Sequence, residues 1–532
     1  MHRFEPLPAA SATQARATTG AQPAESVVPS PHALAARRVL LGALLLGVLA
    51  DPLLRNEPWG LGLLAWMIAF AVVTLWLAGR RGRPLSAESG AWLAVAVLFA
   101  AGISWRDAEM LQVFDMLAML VALGLLAMSL GGVPVPGLAL ARVRDLIRAA
   151  FGTGIDVAAG AIPLVLRDAE PHATRRSSSP GRAGRIARAL AISAPILLVF
   201  TLLLTQADPV FGSFFTLPDI EIDVVLSHFF IAGFFAWVTA GWLRRSLLAE
   251  PRGTASPSAP FSFPLALNAT DVSLALGALA VLFAAFVAVQ VGWLFGGEAL
   301  VLRTTGLGYA EYARRGFFEL TCVAALLLPV LLVAKALIPA SDARTLVLYR
   351  RLALSLVLLL GVMMVSAGAR MRLYVHYYGV SADRLYATAF MIWLAVVFAW
   401  LVLTVLRSRP RAFAAGTVLS GFAVLLILNV LNPDALVARS NLARKTADPA
   451  YVASLGGDAV PALVSALTAP AAGTMAQAER CAAAAHLLER WSGERQERMT
   501  RSWTQWSSGR ARALEAVALR EAELRGLACP PA

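Results

Sequence analysis

Eleven runs of mainly apolar residues dominate this chain and leave few folds open to it. They lie near 39–54, 59–79, 88–105, 110–131, 188–206, 222–243, 271–295, 317–338, 347–367, 387–406 and 412–431. A spanning helix needs about 20 such residues, because backbone groups in lipid must all be bonded within the segment. The chain is 58% hydrophobic and only 15% charged, where soluble domains average about 25% charged. The expected fold is an all-α integral membrane protein over residues 37–431. Its first span is the shortest and carries Asp51-Pro52.

The flanks differ in composition. Residues 1–36 are rich in Ala, Ser, Thr and Pro, cannot bury a core, and are expected to be disordered. Arg37-Arg38 directly precedes the first span, which reads as an uncleaved anchor. Residues 432–532 have balanced charge and read as a small helical domain. There, DPAYVASLGGDAVPALVSAL predicts two short helices joined at Gly456-Gly457, with Asp458 as an N-cap. Residues 494–525 predict a longer helix, bent near Ser507-Ser508-Gly509. Trp503 and Trp506 share one face at i,i+3 and read as core or docking residues.

The net charge of +13 does not point to nucleic acid. With the N-terminus placed inside, 26 Lys and Arg fall in inner segments, 8 in outer loops and 12 after Asn432. Basic loops stay cytoplasmic, so this asymmetry sets the orientation. An odd number of spans puts the C-terminus on the outer side. The 44 arginines against 2 lysines fit GC-rich bacterial coding, and the expected location is a bacterial inner membrane. The long basic loop 132–187 is expected to be cytoplasmic and mostly solvated, although 143–166 has the pattern of a helix lying on the membrane surface.

Two outer loops break the charge rule. Segments 296–319 and 368–386 hold six of the eight outer-loop arginines and six of the eight tyrosines. One reading is an aromatic belt with local ion pairs, such as Glu311 with Arg315. The other is an outward site for an anionic group, because guanidinium forks match carboxylate and phosphate. In that site Arg314, Arg315, Arg370 and Arg372 would hold the anion and Tyr309, Tyr312, Tyr374 and Tyr378 would line it. Asp115 would lie below, as the intramembrane carboxylate farthest from a span end. Asp51, Gln206, Asp208, Gln290, Glu319 and Asn429 also fall in outer halves of their spans, which suggests a polar vestibule.

Three cysteines are present. Cys322 lies in a span and reads as packing. Cys481 and Cys529 lie in the tail and are expected to pair if the tail is in an oxidising compartment. Nucleotide-binding glycine motifs, metalloprotease motifs and Cys-x-x-Cys pairs are absent, and the six histidines are scattered. No metal site and no cofactor are expected.

Four blocks, ADPVFGSFF (207–215), GYAEYARRGFFEL (308–320), RLYVHYYGVSADRLYA (372–387) and NVLNPDALVARSNLAR (429–444), resemble the bacterial multi-pass membrane family catalogued as domain of unknown function 4173. That resemblance implies a polytopic membrane protein and supplies no catalytic residue. Three functional readings stay open. The first is an inner-membrane protein with an outward site for an anionic lipid or envelope ligand, serving transport, sensing or assembly. The second is a membrane transferase, since the layout is similar to that of C-type glycosyltransferases; Asp51 and Glu57 would then act in the first outer loop. The third is a scaffold whose tail binds an envelope protein while the spans anchor it in the bilayer.

Overall fold

The computed structural model describes residues 31–81, 85–131, 143–168, 222–248, 267–305, 317–339, 341–407, 412–444, 448–469, 476–493 and 503–528. Among them, ten helices are long and apolar enough to cross a membrane. They are α1 (Pro31–Leu54), α2 (Leu61–Arg80), α3 (Ala87–Trp105), α4 (Glu109–Leu130), α6 (Ile222–Leu243), α7 (Ala269–Thr305), α8 (Phe317–Leu337), α9 (Ala343–Tyr378), α10 (Ala382–Thr404) and α11 (Phe413–Leu431). A further helix, α5 (Val143–Ala159), lies between α4 and α6. The protein is an all-α multi-pass membrane protein. The expected span at 188–206 lies outside the described residues. Helix α1 opens at Pro31, ahead of the expected boundary at residue 37.

Two helix bundles bury separate cores. The first joins α1–α4, α11 and the end of α6, around Leu46, Met67, Phe99 and Leu126. The second joins α7–α10, around Leu331, Tyr349, Leu356 and Leu401. Helix α11 bridges them, with Phe413 in the second core and Phe422 in the first. The bundles also meet where Leu111, Tyr386 and Leu428 are buried together. Lipid offers no hydrophobic drive between spans, so close packing has to hold them. On α1, a Cβ at Gly47 would lie 2.4 Å from the Ala232 carbonyl of α6, so only glycine permits this approach.

Contacts fix which helix ends share a side. Arg55, after α1, donates to Ser227 of α6. Leu61 of α2 and Arg106, after α3, both bond to the chain beyond α11 or its last turn. At the other side, Arg245 after α6 pairs with Asp156 of α5 at 3.0 Å, and Leu267 before α7 bonds to Leu337 of α8. Helix α4 therefore ends on one side, and α6 starts on the other.

Segment 143–168 is not the solvated loop expected for it. Helix α5 packs against α6, where Trp237 donates to the Ala158 carbonyl at 2.8 Å. A Cβ at Gly241 would meet the Val157 carbonyl at 1.9 Å. The segment buries this face because Asp156 and Asp168 neutralise Arg245 and Arg244, at 3.0 and 2.6 Å.

After α11 the chain forms a small domain of α12 (Pro433–Leu442), α13 (Pro449–Ser454), α14 (Val460–Thr468), α15 (Gln477–Trp491), α16 (Ser508–Leu519) and α17 (Glu521–Leu527). Such short helices are marginal alone. They are held by a shared core of Val437, Val452, Leu463, Leu487, Trp491, Val517 and Leu524. Asn432 sits in the left-handed region (φ 55°) between α11 and α12, and its side chain accepts from the Ala435 amide. Asn tolerates that conformation, which turns the chain out of the bundle with Pro433 at the first helical position.

Candidate functional site

Asp107 lies in the short turn between α3 and α4, and the C-terminal domain is built around it. A Cβ at Gly456 would stand 1.8 Å from its carbonyl oxygen, one at Gly457 2.6 Å from Oδ2, and one at Gly509 2.7 Å from its Cβ. Three glycines thus form a cradle that no larger residue fits. Within it, Gly457 N donates to Asp107 Oδ2 at 3.0 Å, and Arg510 Nε contacts Oδ1 at 2.8 Å.

A second carboxylate locks the same junction. Asp458 Oδ2 accepts from the Asp107 amide at 2.7 Å. Its Oδ1 accepts from Asn432 Nδ2 at 3.1 Å and from Arg512 Nη2 at 2.9 Å. Arg106 Nη1 lies 3.9 Å away. Asp458 is therefore not the N-cap expected for α14, because its carboxylate is consumed across the interface. Asp434 adds a third contact, accepting from Gly456 N at 2.9 Å. Its burial, together with the nearby Asp458 and Asp107 charges, pushes its carboxyl up to about 6. Burial also draws the Arg106 and Arg510 guanidiniums below their ordinary value, while Asp458 and Asp107 oppose the shift.

The junction continues into the membrane. Arg106 Nε donates to the Asn429 carbonyl at 2.6 Å. Asn429 Nδ2 in turn reaches both oxygens of the fully buried Asp115, at 2.9 and 3.1 Å. A Cβ at Gly102 would lie 2.8 Å from Asp115 Oδ2, so α3 closes over the pair. A buried carboxylate is tolerated only when it is bonded, and here an amide from another span bonds it. Hydrogen bonds thus run from Asp115 through Asn429 to Arg106, whose charge lies 3.9 Å from Asp458.

The arginine–tyrosine group has a different geometry from the one expected. Residues 368–378 are not a loop but the C-terminal end of α9, which has 36 residues and is about 54 Å long, against a hydrocarbon core of about 30 Å. Arg370 and Arg372 lie on this extension, with Arg372 exposed. Tyr374 packs against Tyr378 with ring centres 5.1 Å apart and planes tilted by 54°, and its cationic neighbour is Arg384, 4.2 Å above the ring. Asp115 belongs to α4 of the first bundle, one turn from Leu111, which packs with Tyr386 of α10 where the two bundles meet. Tyr309, Tyr312, Arg314 and Arg315 lie outside the described residues. Arg444 caps the extension, donating to the Val375 carbonyl at 3.2 Å and to the His376 and Tyr377 carbonyls. Asn441 and Val380 exchange bonds at 2.9 and 2.6 Å. The end of α9 is therefore tied to the C-terminal domain.

Asp51 is occupied as well. It accepts from Arg55 at 2.6 Å and meets His228 Nδ1 at 2.5 Å, joining α1 to α6. Glu57 is exposed, and its carbonyl accepts from Gln505 at 2.6 Å. In the tail, Cys481 is disulfide-bonded and Cys529 lies outside the described residues. Cys322 is free.

Sequence reasoning missed Asp107, Arg510, Arg512 and Asp434. The only local signal was a Gly-Gly-Asp in the tail and an Arg-Asp pair directly after the end of a span.

No curated protein and no solved structure matches the chain. The family match differs from the resemblance drawn from the four blocks: domain 4173 is not found. Residues 93–466, from α3 through Asp107, Gly456 and Gly457 to α14, match the sequence model of domain of unknown function 4153, and the chain belongs to that family.

Proposed function

We propose that this is a bacterial inner-membrane protein that senses an anionic lipid or envelope ligand at its extracytoplasmic face and conveys occupancy to its C-terminal domain. One observation carries this reading: the exposed, cationic outer end of α9 is capped by Arg444 and bonded by Asn441, both on the domain that Asp107 locks to the first bundle. An anion drawn to Arg372 and the exposed Tyr377 and Tyr378 would bear directly on the carbonyls that Arg444 caps. Coupling requires that the ligand interact differently with two arrangements of this junction.

The test compares protein in phosphatidylglycerol-containing and pure phosphatidylcholine nanodiscs by hydrogen exchange. The anionic lipid is expected to change exchange in residues 376–382 and 433–444, and Arg372→Gln is expected to remove the difference while leaving the fold intact. Identical exchange in both lipids, for the wild type, would overturn the reading.

A further inference from the structure

Residues Trp503–Gln505 form a single 3-10 turn directly before α16. Such a turn has three residues per repeat, so positions i and i+3 share one side. Thr504 and Ser507 point inward and are buried, whereas Trp503 and Trp506 on the other side are 57% and 43% exposed. Burying one indole removes a large apolar area from water, so two exposed side by side call for a partner.

The level of this turn is fixed by bonds. Trp506 O accepts from the Leu61 amide at 2.9 Å. Gln505 Nε2 donates to the Glu57 carbonyl at 2.6 Å. Arg510 donates to the Pro58 and Trp59 carbonyls at 3.3 and 3.4 Å. A Cβ at Gly60 would meet the Trp506 carbonyl at 2.2 Å, so the approach is close. Leu61 is the first residue of α2, where an apolar span begins. The two indoles therefore stand at the height where hydrocarbon gives way to headgroups. Trp105, the last residue of α3, is 44% exposed with Arg106 3.9 Å above its ring. Below them the spans present an apolar surface, including Ile68 and Val72 of α2.

We infer that Trp503 and Trp506 are a lipid anchor: they insert the rim of the C-terminal domain into the headgroup–acyl boundary of the leaflet it rests on. Tryptophan favours that boundary because its ring is apolar and its N–H still finds a polar partner. The occupant is lipid because the backbone of the patch is bonded to the first residue of α2, a span whose exposed residues Ile68 and Val72 are apolar. The domain is thus held twice, by the Asp107 cradle and by the bilayer.

Fluorescence tests this on the full chain in vesicles. Subtracting the emission of Trp503→Phe/Trp506→Phe from that of the wild type leaves a signal from these two indoles. In phosphatidylcholine brominated on the upper acyl chain, that difference signal is expected to lose most of its intensity and to resist aqueous iodide. Quenching by iodide without quenching by bromolipid would overturn the proposal. So would protection from both, which would mean that a protein surface covers the patch. The single variants Trp503→Phe and Trp506→Phe serve the same subtraction if the double variant does not fold.

Discussion

Asp107 and Arg510 stand 2.8 Å apart with only 12% and 5% of their side chains exposed, although 403 positions separate them in the chain. One belongs to a turn between two spans, the other to the tail. Removing one member of a buried pair leaves the other charge uncompensated, at about 3–5 kcal/mol. Arg510→Met is expected to release the C-terminal domain while the bundles stay folded. Limited proteolysis would then cut residues 433–528 at an unchanged gel-filtration volume. Asp107→Ala combined with Arg510→Met should recover part of the loss, because the buried charge is gone as well.

The glycine cradle gives a sharper steric test. Gly456→Ala places a methyl group 1.8 Å from the Asp107 carbonyl, a backbone atom that cannot swing aside. The variant is expected to undock the domain as Arg510→Met does. Gly233→Ala is the control, since nothing lies within 4 Å of its Cβ on α6. It should be neutral or stabilising by up to about 1 kcal/mol. Equal melting behaviour of the two variants would show that the cradle does not hold the domain.

The spans were legible because lipid imposes a length and a composition on each one separately; α2, α3, α4 and α11 end within two residues of their expected bounds. Position 115 was legible for the same reason, as a carboxylate where few are tolerated. What stayed hidden is pairwise. Asn429 lies 314 residues from Asp115, and Asp458 351 from Asp107. No periodicity or spacing records such pairs. The arginines and tyrosines after Gly368 were read as a loop because apolarity ends there, yet the helix continues: α9 is supported by the tail instead of by lipid. Asp458 matched a helix-start pattern, but a shared interface outweighed a local cap.

Asp434 makes the junction sensitive to pH in a definite direction. Its carboxyl is raised to about 6 from an ordinary 3.8, mainly by burial. Above that value the docked state carries a buried charge beside Asp458 and Asp107, which Gly456 N and Arg490 only partly offset. Between about 6 and 3.8 the folded state keeps a proton that the unfolded chain releases, so stability rises as pH falls through this window. The thermal midpoint of wild-type protein, less that of Asp434→Asn, is expected to rise between pH 7.5 and 4.5. A flat difference would mean that Asp434 keeps its ordinary affinity for protons.

The orientation can be decided through the tail cysteines. Cys481, on α15, is disulfide-bonded and Cys322 is free, and the bond expected from the sequence is Cys481–Cys529. A closed loop of 48 residues stabilises a small domain by roughly 3–4 kcal/mol in the chain-entropy account. Disulfides persist on the outer side of a bacterial inner membrane and not in the cytoplasm. Protein alkylated without reduction is therefore expected to carry one blocked thiol, at Cys322, and three after reduction. A membrane-impermeant maleimide added to intact spheroplasts after reduction should then label Cys481. Three free thiols before reduction, or labelling of Cys481 only after lysis, would place the domain in the cytoplasm and reverse the side on which the Asp107 junction works.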